Sequence, residues 1–244
     1  MSKNAIVTGA ARGIGLAVAD RLGAEGYRLF VCGATNGVLD VSKRWPNAVA
    51  RAVDVGDPKA MLAWAKEIRA EVETIDAIVH NAAPHRHGLP TETPDEDFDL
   101  LLRTQLVGPL AFTNALLPAM GPGSNVLFVA SALAKRLNPH MSAVSVAKHG
   151  VIVLVRALAT TLAKRGVRVN AICPATSRTD YLALAAKASE STPEALEREI
   201  VQTQRLGLVE PADLADLVVR LLSERSSKVT GWAHYLDAAS LDVV

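Results

Sequence analysis

Short apolar, β-branched runs alternate with stretches of helical period along almost the whole chain. The runs predict strands at about 4–8, 28–32, 49–53, 75–80, 124–130, 167–172 and 233–236. Helices are placed between them at about 13–25, 58–72, 96–119, 143–164 and 211–223. Pro58 and Pro211 suit helix first turns, and Asp57 and Glu210 suit the positive ends of the same helices. Such an alternation builds an α/β domain, a doubly wound parallel sheet of about seven strands with helices on both faces. No repeat or low-complexity linker divides it, so residues 1–244 are expected to form one domain. Only 174–208 departs from the rhythm, with Pro174, Pro193 and two short amphipathic pieces. It follows the carboxyl end of a strand, where open α/β sheets bind ligands, and is expected to form a lid. A surface helical hairpin with no part in binding is the alternative.

The first strand, Ala5-Ile6-Val7, runs into Thr8-Gly9-Ala10-Ala11-Arg12-Gly13-Ile14-Gly15 and then a helix-compatible segment. Glycines placed between a strand and a helix N-terminus suit a pyrophosphate, which must approach unpaired backbone N–H groups closely. Gly9 permits the turn, Gly13 removes a Cβ from the phosphate path, and Gly15 lets the helix pack on the strand. Arg12 adds charge nearby. The pattern predicts a Rossmann-type dinucleotide site.

With 244 residues, 50% hydrophobic and 21% charged, the chain has the material for a sizeable core and little for disorder. A net charge of +1 and the absence of basic blocks argue against a nucleic-acid partner. The N-terminus is too short before its first strand for a secretory segment, and Arg156 breaks the apolar run 151–163, so no membrane partner is expected. Cys32 and Cys173 read as reduced, buried thiols, which with these features points to the cytoplasm.

These segments together resemble the short-chain dehydrogenase/reductase family over nearly the whole chain. Asp54-Val55 stands where the family contacts adenine, and Asn81-Ala82-Ala83 resembles the Asn-Ala-Gly segment that supports the cofactor. Arg168-Val169-Asn170-Ala171-Ile172-Cys173-Pro174-Ala175 resembles the strand and turn flanking the nicotinamide, with Thr179 at the family's threonine near the phosphates. Val229-Thr230-Gly231 precedes a last strand ending Leu236-Asp237-Ala238-Ala239, where Asp-Gly-Gly is more usual. The resemblance implies an NAD(P)-dependent oxidoreductase acting on a small organic molecule. Its implied cofactor residues are Gly9, Arg12, Gly13, Ile14, Gly15, Thr35, Asp54, Val55, Asn81, Ala82, Lys148, Pro174, Ser177 and Thr179.

The family's chemistry uses a Tyr four residues before a Lys, a Ser about thirteen residues before the Tyr, and an Asn that supports a water on the Lys. Ser131 and Lys148 occupy their positions, but residue 144 is valine and the Asn position is Gln105. The tyrosine hydroxyl is the family's proton donor, and valine has no proton to give. Loss of a positioned general acid typically costs about 10²–10⁴-fold. Three readings follow: an oxidoreductase whose substrate needs no tyrosine proton (an iminium or conjugated C=C) or takes one from elsewhere; a dinucleotide-binding partner subunit or sensor; a weak reductase or other chemistry. His140 and Tyr181 are candidate substitutes, though the first reads as a loop residue facing water and the second as packing. His85-Arg86-His87 reads as an exposed polar loop before a substrate contact, and without further ligands no metal site is expected. Trp45, Trp64 and Trp232 read as packing residues.

The end of the second strand, Cys32-Gly33-Ala34-Thr35-Asn36, lacks the acid that an NAD-preferring site places against the ribose. NADP is therefore favoured over NAD. Family resemblance, with apolar residues on more than one face of 104–119 and 143–164, predicts a homotetramer.

Overall fold

A computed structural model describes residues 3–240, so the first two and last four positions of the expected domain lie outside the description. In chain order the elements are β1 (Asn4–Thr8), α1 (Gly13–Ala24), β2 (Arg28–Gly33), α2 (Gly37–Val41), β3 (Val49–Ala52), α3 (Pro58–Glu71), β4 (Ala77–His80) and α4 (Asp95–Leu102). They continue as α5 (Gly108–Leu116), β5 (Asn125–Val129), α6 (Ser142–Leu162), β6 (Arg168–Pro174), α7 (Tyr181–Ala188), α8 (Pro193–Thr203), α9 (Pro211–Leu222) and β7 (Ala233–Leu236). Every strand lies within two residues of its predicted place. The short α2 is an addition to the sequence reading.

The strands form one parallel sheet in the order β3-β2-β1-β4-β5-β6-β7. Strands buried on both faces need apolar residues at successive positions, which is why Ala5-Ile6-Val7 and Val126-Leu127-Phe128 show no polar alternation. Ile6, Phe30, Ile78 and Phe128 point to one face, where α3, α5 and α6 cover them with Trp64, Phe112, Val151 and Val155. Val7, Val31, Val79 and Leu127 point to the other, against Val18 and Leu22 of α1 and Leu214 and Val218 of α9. Trp64 stacks on Phe112 with ring centroids 5.1 Å apart. Asp57 caps α3, its Oδ1 accepting from the N–H groups of Lys59 (2.9 Å) and Ala60 (3.2 Å), and Glu210 forms a capping box with Asp213 at α9. The stretches Asp95–Ala119 and Ser142–Arg165 are long and apolar enough by composition to cross a membrane. Here both pack their apolar faces on the sheet.

The helix expected over 96–119 is a continuous path, but its middle five residues, Arg103–Val107, widen into a π-turn. Such turns carry an extra residue per turn and re-aim side chains. This one carries Gln105.

Candidate active site

Strand order reverses between β1 and β4, and the carboxyl ends of these two neighbours open into a cleft of about 1890 Å³. That is the crevice where open α/β sheets hold ligands. Its floor is braced by Asn81, whose side-chain amide donates to the carbonyls of Thr8 (3.0 Å) and Gly9 (3.1 Å). Thr8 Oγ1 in return accepts from the N–H groups of Asn81 (3.0 Å) and Ala82 (3.1 Å). Gly9 turns with φ +69°, and a Cβ there would stand 2.9 Å from the Ala82 backbone. A Cβ on Gly15 would lie 2.2 Å from the Gly9 carbonyl oxygen, so nothing but glycine fits. Unlike α3, α1 has no side-chain cap, which leaves the N–H groups of its first turn, beside Gly13 and Ile14, without partners among the described residues. A glycine-lined helix N-terminus of this kind fits a pyrophosphate.

One arm of the cleft runs past Gly33, Thr35, Val53, Asp54 and Val55. Asp54 Oδ1 accepts from the Gly56 N–H (2.8 Å), and Gly108 lets α5 approach the Val55 carbonyl so closely that a Cβ would be 2.2 Å away. Thr179 lies over Gly13, at 3.4 Å from where its Cβ would stand. Arg12 pairs with Asp180 at 3.7 Å across the mouth, both side chains being about two-thirds exposed. Pro174 ends β6, and buried Ser177 donates to the Ala175 carbonyl (3.3 Å).

The other arm gathers Ser131, Val144 and Lys148. Ser131 follows β5 by two residues and caps a short turn, its Oγ accepting from the Leu133 N–H (3.1 Å). Lys148 is buried in α6 and donates to the Val129 carbonyl (2.8 Å); burial pushes its ammonium down to about 8. Gln105 is 3% exposed, and neither atom of its amide has a hydrogen-bond partner. Val144, also 3% exposed, packs with Leu101, Met141, Ala143 and Ala147, and with Leu133 and Tyr181 at the edge. The serine and lysine share the cleft with the apolar surface around Val144.

Only Trp232 differs from its sequence reading, while the histidine loop is exposed as read. His85 and His87 are accessible, but from within the cleft: both line it, and the His85 ring packs 4.2 Å from that of Tyr181. Desolvation, then the charge of Lys148, holds the His85 imidazole below its usual range. Trp232 is 66% exposed at the sheet edge instead of packed. Nothing in single-sequence periodicity marks a contact between His85 and a helix starting 96 positions later. The readings of His140 and of the two cysteines agree with the structure. His140 is exposed on its loop, and Cys32 and Cys173 are buried free thiols raised by burial to about 12 and about 11, too high for nucleophilic work. Among the described residues no three His, Cys, Asp or Glu side chains form a metal-ligating group.

Residues 9–238 match a family model described as enoyl-(acyl carrier protein) reductase. The chain belongs to the short-chain dehydrogenase/reductase family. It is 31% identical over 249 residues to the "Putative ketoacyl reductase" of Streptomyces coelicolor, covering 95% of this chain and 94% of that one. It is 28% identical over 242 residues to the 3-oxoacyl-[acyl-carrier-protein] reductase FabG of Staphylococcus aureus, covering 95% of each. A tryptophan variant of actinorhodin polyketide ketoreductase, solved with NADPH, superposes with a TM-score of 0.92 at 29% identity over 99% of this chain and 98% of that one. As a member of this family the chain is an NAD(P)-dependent oxidoreductase in class.

Proposed function

We propose that the protein is an NADP-preferring reductase of a small organic carbonyl compound or a related acceptor, such as an iminium or a conjugated C=C. The observation that carries this reading is the joining, in one cleft, of an uncapped glycine-lined helix N-terminus with Ser131 and the buried Lys148. A bound nicotinamide dinucleotide supplies hydride there. Gly9, Gly13, Ile14 and Gly15 hold its pyrophosphate, with Arg12 and Thr179 over the turn. Thr35, Asp54 and Val55 receive the adenosine half, and Asn81, Ala82, Pro174 and Ser177 shape the nicotinamide half. Lys148 holds the nicotinamide ribose, Ser131 hydrogen-bonds the substrate oxygen, and Gln105 supports a water beside Lys148, which would satisfy its unpartnered amide.

The preference for NADP rests on β2. Gly33 stands at the place of the acid of an NAD-type site, and a side chain there would begin in tight contact with Val38, at 3.3 Å. The NADPH complex of the related ketoreductase supports the same choice. Residues 174–208 act as a lid: Leu184, Leu196 and Ile200 line the cleft and give its outer part an apolar wall. The protein works in the cytoplasm, where its free thiols stay reduced. It assembles as a homotetramer that covers Val107, Val146 and Val153, each more than half exposed in the single chain. Light scattering that gives only the 25.8 kDa chain would remove the tetramer.

Fluorescence titration should show saturable NADPH binding, tighter than NADH. A panel of ketones, iminium salts and enones should then reveal hydride transfer from NADPH. Binding without transfer to any acceptor would favour the partner-subunit reading that Val144 keeps open, and no binding of either dinucleotide would refute both.

A further inference from the structure

The reductase reading leaves a proton without a source. Hydride addition makes the substrate oxygen negative, and position 144 cannot neutralise it. Beyond Ser131 and Lys148, the lining side chains with exchangeable protons include His85, His140 and Tyr181. His140 sits exposed on its loop, and the imidazole of His85, held neutral by its surroundings, is a weak acid. Tyr181 differs from both in position. It opens α7, and its ring joins the apolar cluster built around Val144. Its hydroxyl donates to Met141 Sδ at 3.4 Å. Met141 immediately precedes α6, three residues before Val144, and belongs to the same apolar cluster. The phenol missing from α6 thus has a counterpart carried in by α7, packed against the cluster that holds Val144.

The hydroxyl is also free to serve a ligand. Its one protein partner among the described residues is a thioether, a weak acceptor that a substrate oxygen would displace. Its ring is held from the other side by His85 at 4.2 Å and His87 at 6.2 Å. The charged and titratable groups lining the cleft about it include those two imidazoles from the loop after β4, His140 on the loop before α6, Lys148 on α6, and the Arg12–Asp180 pair beside the root of α7.

We propose that Tyr181 is the proton donor of this protein, replacing from the lid the phenol that α6 lacks, with His85 as the positioning residue that fixes its ring. This rests on the reductase reading above. In the step, the carbonyl carbon receives hydride from NADPH, which leaves as NADP⁺, and the π pair moves onto oxygen. That oxygen takes the Tyr181 hydroxyl proton, giving the alcohol, and the phenolate is reprotonated by water in the open cleft.

The test has a readout that needs no substrate. The chain has three tyrosines, so alkaline titration followed by phenolate absorbance resolves Tyr181 as the signal lost in Tyr181→Phe. NADP⁺ places a cationic ring near any donor in this site and should lower that phenol's midpoint by about one pH unit, as an opposite charge within a few ångströms does. NADPH, with a neutral ring, should not. With an acceptor found in the panel, Tyr181→Phe should lower kcat by about 10²-fold or more while NADPH affinity stays within about twofold. His85→Ala should lower kcat less and weaken the NADP⁺-induced shift. If NADP⁺ binds and the phenol titration does not move, or if Tyr181→Phe keeps more than about a third of kcat, Tyr181 is not the donor and the reductase reading stands. If neither dinucleotide binds, the reductase reading fails and the donor falls with it.

Discussion

Returning a phenol to α6 tests the geometry of the whole reactive arm. In a Tyr181→Phe background, Val144→Tyr should restore ketone reduction, because Ser131 and Lys148 already stand in the same cleft at the sequence spacing a phenol at 144 requires. A general acid contributes about 10²–10⁴-fold, or roughly 3–5 kcal/mol of barrier. Recovery should approach the lower end. Val144 is 3% exposed among Leu101, Met141, Ala143 and Ala147, so the larger ring must swing toward the cleft, and overpacking costs about 1–3 kcal/mol of stability. The new phenol would owe its acidity to the charge of Lys148, whose pKa near 8 keeps it protonated at neutral pH. As pH rises through about 8 that charge disappears, the phenol becomes a weaker acid, and the restored rate should fall. The assay is NADPH oxidation with small ketones, recorded from pH 6 to about pH 9. Lys148→Ala should remove the gain together with its pH dependence, and Ser131→Ala should remove the gain alone. A double variant that folds, binds NADPH and stays at the Tyr181→Phe rate would show that the serine and lysine do not frame a productive position at 144.

Gly15→Ala should weaken NADPH binding at least about tenfold in a fluorescence titration, since its methyl would meet the Gly9 carbonyl at 2.2 Å and Asn81 Nδ2 at 2.4 Å. Ala238 and Ala239 stand where the family pattern has glycines and hold φ of +49° and +57°. Replacing either with glycine should raise stability by about 1 kcal/mol in urea unfolding, as relief of a left-handed side chain predicts. His80 is buried between Phe112 and Phe128 with Nε2 on Thr113 Oγ1 (2.8 Å), and burial pushes its imidazole down to about 3. Its unfolded form binds a proton near pH 6.5, so its contribution is whole above that value and should fall by about 1.4 kcal/mol per unit as pH drops toward 3. His80→Gln should flatten that slope; an unchanged slope would place the acid sensitivity elsewhere.

Much of this architecture is legible in the chain because it obeys local rules. Strands buried on both faces announce themselves as continuous apolar runs, Pro58 and Pro211 mark helix starts, and Gly9 and Gly15 are required by contacts their own turn creates. Features made by distant segments are not legible. The π-turn over 103–107 has no periodicity of its own, since one added residue leaves the flanking helical pattern intact. The edge exposure of Trp232 follows from strand order. Loop identity places His85 and Tyr181 separately, and only their tertiary approach turns a polar loop and a packing residue into one wall of the site.

The segment between β6 and α9 leaves and re-enters the domain at nearly the same place. Buried Gln204 accepts from the Thr176 N–H (2.8 Å) and donates to its carbonyl (3.1 Å), while a second, backbone stitch runs from the Arg178 N–H to the Val209 carbonyl (2.9 Å) and from the Val209 N–H to the Thr176 carbonyl (3.2 Å). With its ends tied together, α7 and α8 form a closed loop whose length hardly matters to the sheet, each doubling costing only about 0.6 kcal/mol. The piece that walls the cleft is an exchangeable cassette. Grafting another 181–203 onto the same two stitches would alter acceptor choice, and by removing Tyr181 it would alter the acid chemistry too, while the dinucleotide cradle beneath, Thr179 included, stayed as it is.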